Sequence, residues 1–274
     1  MRVACGIEYD GGRFLGWQRQ SGTARTVQDA IERALARVAN HPVTVVCAGR
    51  TDTGVHATTQ VCHFDTSAER AEKAWVMGAN TALPDDVSVR WARPVPNDFH
   101  ARYAAVARRY RYVLLEGWNR SALWRQRAGW HHAQLDLARM QAAAKRLIGE
   151  HDFSAFRSSA CQAAHAVRRL DHVDVRRMGA AVVIDIQGNA FLHNMVRIIV
   201  GVLMTVGAGD RPPGWVDTLL DRGDRREAGK TAPAHGLYLI GPVYPRRFGL
   251  PFPEPPQWPA CPNAGGFCDN MDGP

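Results

Sequence analysis

Lysine is scarce in this chain of 274 residues. It occurs at Lys73, Lys145 and Lys230, so 31 of the 34 basic side chains (34 − 3) are arginine. A compositional bias toward arginine accounts for that ratio but not for the excess of positive charge, a formal +8 with a pI near 9.5. Arginine binds phosphate through two parallel hydrogen bonds and stacks on planar groups, so the excess points to a polyanionic partner. Long apolar runs are also missing. The longest, Phe191 to Val206, is broken by His193, Asn194 and Arg197 and is too short to cross a bilayer comfortably, which excludes a membrane span. The opening residues, MRVACGIEYD, lack the continuous apolar stretch of a signal peptide. Six cysteines, at 5, 47, 62, 161, 261 and 268, have no zinc-site spacing, and a disulfide framework is not expected without export. The first four read as small core residues. The expectation is a soluble, cytoplasmic protein of one large or two medium domains, with no membrane partner and no metal.

What is present is a mixture of strand and helix signals. Val3, Cys5, Ile7 and Tyr9 alternate, which predicts a strand over 2–9, followed by a Gly-rich, basic, aromatic loop, DGGRFLGWQRQ. Thr26 opens a helix with Val27, Ile31, Leu35 and Val38 on one face and Asp29 at capping-box distance. Strands are expected at 43–48, 59–64, 86–91, 108–116, 169–176, 181–187 and 236–244. Helices are expected at 68–80, around Leu137–Leu147, at 191–206 and at 215–222. Adjacent strands joined by short turns favour antiparallel pairing, so the fold class is α+β, in two similar halves, 1–105 and 106–250. From Pro251 the chain is rich in proline, and 251–274 is expected to be an extended or disordered tail.

Three stretches carry chemistry. In AGRTDTGVHA, Asp52 sits at the end of a strand-like run, flanked by Gly49 and Gly54. Such a carboxylate either serves a ligand or simply satisfies turn amides. The 191–206 helix is apolar nearly all round and therefore buried, yet at 100° per residue His193, Asn194, Arg197, Gly201 and Thr205 form one polar strip. A buried Arg197 needs an anionic partner, and Asp52 is a candidate; the alternative is a strip that faces solvent. In ARRYRYVLLE, Tyr110 and Tyr112 share one strand face and Arg109 and Arg111 the other, an arrangement suited either to base stacking with phosphate contact or to an ordinary edge strand.

These stretches, together with YDGGRFLGWQRQ, DFHARYAAVARRYRY, GEHDFSAFR, GNAFLHNMVRIIVGVLMTVGAG and APAHGLYL, closely resemble the motifs of the tRNA pseudouridine synthase I family, in the family's order, from about residue 6 to 245. The resemblance implies the pseudouridine synthase fold, two α+β halves around a shared, largely antiparallel sheet with a central basic cleft, and an isomerase without cofactor or metal. It would convert uridine to pseudouridine at positions 38, 39 and 40 of the tRNA anticodon stem-loop, acting as a homodimer on RNA and not on DNA. By the same resemblance Asp52 is the catalytic residue and Arg50 contacts the RNA. Tyr110 stacks on the target base, Arg197 pairs with the catalytic carboxylate, and Leu237 lines the base pocket. Thr53 departs from the family's more frequent Ala or Lys, a small change beside the carboxylate, and the Pro-rich tail matches no family motif.

Two rival readings are weaker. Asp52-Thr53-Gly54 is also the triplet of aspartic proteases, but those need two carboxylates sharing a proton, and Arg50 beside the acid would hold it ionised. A catalytically silent tRNA-binding protein would need only the basic surface. The intact set of Arg50, Asp52, Tyr110 and Arg197 argues against it.

Overall fold

The computed structural model describes residues 1–20, 22 and 25–252. The first strand, β1 (Arg2–Tyr9), leads through the Gly-rich loop to α1 (Val27–Ala39). The Thr26 side chain accepts the Asp29 amide at 3.4 Å, so this helix begins where its cap dictates. Val27, Ile31 and Leu35 are fully buried beneath it. A two-residue strand, β2 (Val46–Cys47), precedes β3 (His56–Asp65), α2 (Glu72–Asn80) and β4 (Val87–Val95). The second half runs β5 (Ala107–Glu116), β6 (Gly129–His131), α3 (Leu137–Lys145), β7 (Gly149–Asp152), β8 (Val167–Met178) and β9 (Ala181–Gly188). It closes with α4 (Met195–Gly207), α5 (Trp215–Arg222) and β10 (Leu237–Val243).

The ten strands form one sheet in the order β4–β1–β3–β10–β5–β9–β8–β7, with β2 beside β3 and β6 beside β5. Pairing is antiparallel except for β10 on β3 and β6 on β5. β4 lies at an edge and tolerates Pro94, whose missing amide costs no ladder bond there. The last strand among the described residues sits between the two halves: Tyr238 pairs with His56 on one side and Arg111 on the other. Two principal cores lie on one face of this sheet. One packs α1 and α2 over β1 and β3; the other packs α3 and α4 over β5, β8 and β9. Leu237 falls in the second core and Leu239 in the first, and Tyr110 packs against both.

Three expected boundaries shift for local reasons. The run 43–48 forms a strand only at Val46–Cys47, although Val43 and Val45 still point inward. The Val45 amide donates to the buried Glu32 carboxylate at 3.0 Å instead of to a neighbouring strand. Glu32 in turn accepts from Gln28 and pairs with Arg19. The helix expected from 68 begins at Glu72, because Thr66 Oγ1 accepts the Ala68 amide and holds that stretch in a turn. The helix expected from 191 begins at Met195, after a turn in which Asn194 takes a left-handed backbone at φ 61°. Cys5 and Cys62 are buried as expected, whereas Cys47 and Cys161 are half-buried; all four are free thiols. The expectation of an extended tail over 251–274 lies, from residue 253, outside the described residues.

On the opposite face His63, 4 % exposed, accepts the Ala101 amide at Nδ1 over 3.1 Å and so anchors the 99–101 segment to β3. Burial, helped by Arg2 and His100, pushes its imidazole down to about 4. A depressed imidazole contributes stability above its unfolded value of 6.5, and that contribution drains away as the pH falls toward 4. Urea midpoints should therefore drop between pH 7.5 and pH 5 by the equivalent of about 2 kcal/mol. In His63→Gln, which can accept the same amide without titrating, that slope should flatten.

Candidate active site

Asp52 stands in the connection between β2 and β3, and its backbone is held from several directions. Gly54, at φ 80°, makes the turn, and the Val55 amide closes it on the Asp52 carbonyl at 3.1 Å. The Trp17 amide donates to the Thr51 carbonyl at 3.0 Å, Tyr9 Oη and Thr51 Oγ1 share a 2.7 Å hydrogen bond, and Gln60 donates to the Gly49 carbonyl at 2.6 Å. The Gly-rich loop of residues 10–17 is thus a brace. Its aromatic side chains Phe14 and Trp17 are buried rather than presented to a ligand. A Cβ on Gly11 would lie 2.0 Å from the Val55 carbonyl oxygen, so only glycine lets the brace approach this closely.

The Asp52 side chain, one-third exposed, opens into a cavity of about 1100 Å³ between the two cores. Arg50, Tyr110, Arg197 and Leu237 line the same cavity, so all five residues singled out in the sequence meet there. Arg50 is exposed and, among the described residues, makes no ion pair. Leu237 is 5 % exposed and pairs with Tyr112 at the start of β10. Tyr110 meets Phe191 edge to face, with ring centroids 5.0 Å apart. Burial pushes its hydroxyl up to about 12, which keeps the ring a neutral surface at physiological pH.

Arg197 belongs to the first turn of α4. Its Nε donates to the Ala232 carbonyl at 2.8 Å and its Nη1 to Asn194 Oδ1 at 2.9 Å, while the Ala232 amide returns a bond to the Arg197 carbonyl at 3.0 Å. The guanidinium then lies 3.9 Å from Asp52 Oδ2. One turn on, Gly201 makes this possible: a Cβ there would sit 1.9 Å from the Lys230 carbonyl oxygen. From Arg197 onward the polar strip faces protein, while His193 at its start is exposed. Gly201 is buried, and Thr205 donates back to its carbonyl at 2.9 Å.

Sequence reasoning placed Arg109 and Arg111 opposite Tyr110, as they are, but missed most of the cavity's arginines. Arg109 and Arg111 serve the far face, where Arg109 bonds Gln187 and Arg111 forms a two-pronged pair with Asp185 at 2.7 and 2.8 Å. The cavity's arginines are Arg50, Arg102, Arg108, Arg168 and Arg197, set against a single carboxylate, Asp52. Arg108 shares the Tyr110 face and spends its donors on four carbonyls, those of Ala48, Arg102, Ala105 and Asn189. His193 was also missed as an Asp52 neighbour: its Nε2 lies 3.3 Å from Asp52 Oδ1. Its sequence signal was its place in the polar strip with Arg197.

Residues 6–104 and 143–245 match the family model described as tRNA pseudouridine synthase. Proteins named tRNA pseudouridine synthase A are similar to the chain along almost its whole length. One from Shewanella amazonensis is 54 % identical over 251 residues, covering 92 % of this chain and 96 % of its own. One from Methylococcus capsulatus is 55 % identical over 250 residues, covering 91 % and 92 %. A third, from Alcanivorax borkumensis, is 53 % identical over 258 residues, covering 94 % and 97 %.

Gly201→Ala tests the packing that holds Arg197. Alanine gains up to about 1 kcal/mol of helix propensity, but its methyl group meets a backbone carbonyl that cannot swing aside. The net effect should be a destabilisation of about 1–3 kcal/mol in the urea midpoint.

Proposed function

The chain belongs to the tRNA pseudouridine synthase family, and on that premise we propose that it isomerises uridine to pseudouridine at positions 38, 39 and 40 of the tRNA anticodon stem-loop, with Asp52 as the catalytic carboxylate. The observation that carries this reading is one carboxylate on a braced turn inside a cavity to which, among the described residues, five arginines and no other carboxylate contribute.

The reaction exchanges the N1–C1′ bond for a C5–C1′ bond, and a proton leaves C5 while N1 gains one. Stacked bases bury the atoms concerned, so the nucleotide has to leave the helix, at a cost of a few kcal/mol. Tyr110 offers a neutral aromatic face for the extruded base, Leu237 an apolar wall beside it, and Arg50 an exposed cation able to occupy the space left in the stack. An ionised Asp52 serves either route to glycosidic cleavage, attack at C1′ or removal of the C2′ proton, and the Arg197 guanidinium supplies its counter-charge. A pair of carboxylates, as in glycosidases, is unnecessary because no external water adds to the sugar.

The partner is tRNA, held through its phosphates by the arginines of the cavity. A homodimer working in the cytoplasm completes the reading. Among the described residues no helix is long and apolar enough to cross a membrane. The 117–128 connection exposes Trp118 at 87 % and Leu123 at 85 %, large apolar side chains that a second copy could cover.

Tritium released from C5-labelled uridine in a tRNA transcript measures the reaction directly. Wild type should release it, and Asp52→Ala should bind the transcript with Kd within about threefold and release none; turnover by that variant would refute the assignment. Binding should also weaken steeply with salt, with a log–log slope of roughly 3 to 5, and Arg50→Ala should reduce that slope by about one.

A further inference from the structure

Asp52 and its partners come from different halves of the chain, and the two oxygens of the carboxylate face different groups. Oδ2 faces Arg197 at 3.9 Å, beyond hydrogen-bond reach, because that guanidinium is already engaged with Ala232 and Asn194. Oδ1 faces His193 Nε2 at 3.3 Å, the nearer of the two. His193 is not on the helix. It precedes the left-handed Asn194, and that turn aims its ring at Asp52 from a different direction than Arg197. Its backbone is fastened on both sides to the loop that forms the cavity's far wall. The Ser158 amide donates to the His193 carbonyl at 3.2 Å, and the His193 amide donates to Cys161 Sγ at 3.5 Å. Arg157 shapes that loop in turn through the Cys161 and Ala163 carbonyls, each at 2.9 Å.

We propose that His193 is a positioning residue for the isomerisation: its Nε2–H fixes the rotamer of the Asp52 carboxylate through Oδ1, leaving Oδ2 to meet the sugar. The inference rests on the reading of Asp52 as the catalytic carboxylate. A side chain on a turn rotates about χ1 and χ2 even when its backbone is braced, and a carboxylate that must approach one face of a ribose loses rate with each wrong rotamer. An error of about 1 Å in such placement can cost 100-fold. Contacts of this kind are often long in the unliganded enzyme and tighten when substrate fills the site, so a 3.3 Å approach is a sound starting geometry. The tie from His193 to the 158–163 loop adds a consequence: RNA that settles that wall also settles the group that orients the carboxylate.

The test is single-turnover C5 tritium release with saturating enzyme, alongside filter binding of the same transcript, for wild type, Asp52→Ala, His193→Leu, His193→Gln and His193→Glu. His193→Leu should be slower by about 10- to 100-fold with Kd unchanged within about twofold. His193→Gln, whose amide can donate to Oδ1, should recover most of that loss, and His193→Glu, which presents an acceptor to an acceptor, should be at least as slow as the leucine variant. The side chain is 38 % exposed, so these variants should fold, and superimposable circular dichroism melts would establish it; the polar pair still decides the question if the leucine variant does not fold. A wild-type rate in His193→Leu, an equal loss of rate and binding, or glutamine no faster than glutamate would each overturn the proposal. Activity in Asp52→Ala would instead remove the premise, and that result is read independently of any His193 variant.

Discussion

A single carboxylate held by one half of the chain, facing a guanidinium and an imidazole held by the other, is the constraint on which the remaining structure depends. Asp52 lies on the β2–β3 connection, whereas Arg197 and His193 lie at the start of α4, in the second half. Their meeting requires the two halves to keep a fixed relation. The position of β10 provides it. A strand from the end of the chain is hydrogen-bonded to β3 on one side and β5 on the other, so ten strands behave as one sheet. Leu237 and Leu239 then enter separate cores, and Tyr110 spans both, which leaves the seam above these strands as the open space.

Around that seam the molecule uses close backbone approach where a ligand might have been expected. Gly11 and Gly16 in the brace and Gly201 in α4 all sit where a methyl group would strike a carbonyl oxygen. Backbone pressed against backbone is stiff, since neither partner has rotamers to yield. The Gly-rich loop, aromatic and basic by composition, buries its aromatics and supports the turn that carries Asp52. The cavity stays lined by groups with reasons to be polar, and its surplus of arginine is what a phosphodiester chain would neutralise.

The arginines also show how charge is divided by face. On β5, Arg109 and Arg111 point away from the cavity and are satisfied by Gln187 and Asp185, while Arg108 points toward it and is satisfied by carbonyls alone. A cation bonded only to neutral groups keeps its charge available; a cation in a two-pronged carboxylate pair has spent it. Net charge alone would have counted these residues equally.

The order and type of most elements were legible in the sequence, because periodicity and caps act over a few residues. Thr26 starts α1, alternation marks β1 and β9, and 215–222 is a helix as expected. The α+β class and the antiparallel bias followed from the same local patterns, and the ordered motifs carried the family. Tertiary structure decided what depends on distant partners. Val43–Val45 stays out of the ladder because Glu32 claims its amide. His193 leaves the helix and turns to Asp52 because Asn194 reverses the backbone and the 158–161 loop holds it there. Arg197 is aimed by Ala232, a residue 35 positions away that reaches it only because Gly201 has no side chain. Local sequence sets the conformations a segment prefers; which polar group satisfies which is settled only when desolvation brings the halves together and pairs buried donors with the acceptors then within reach.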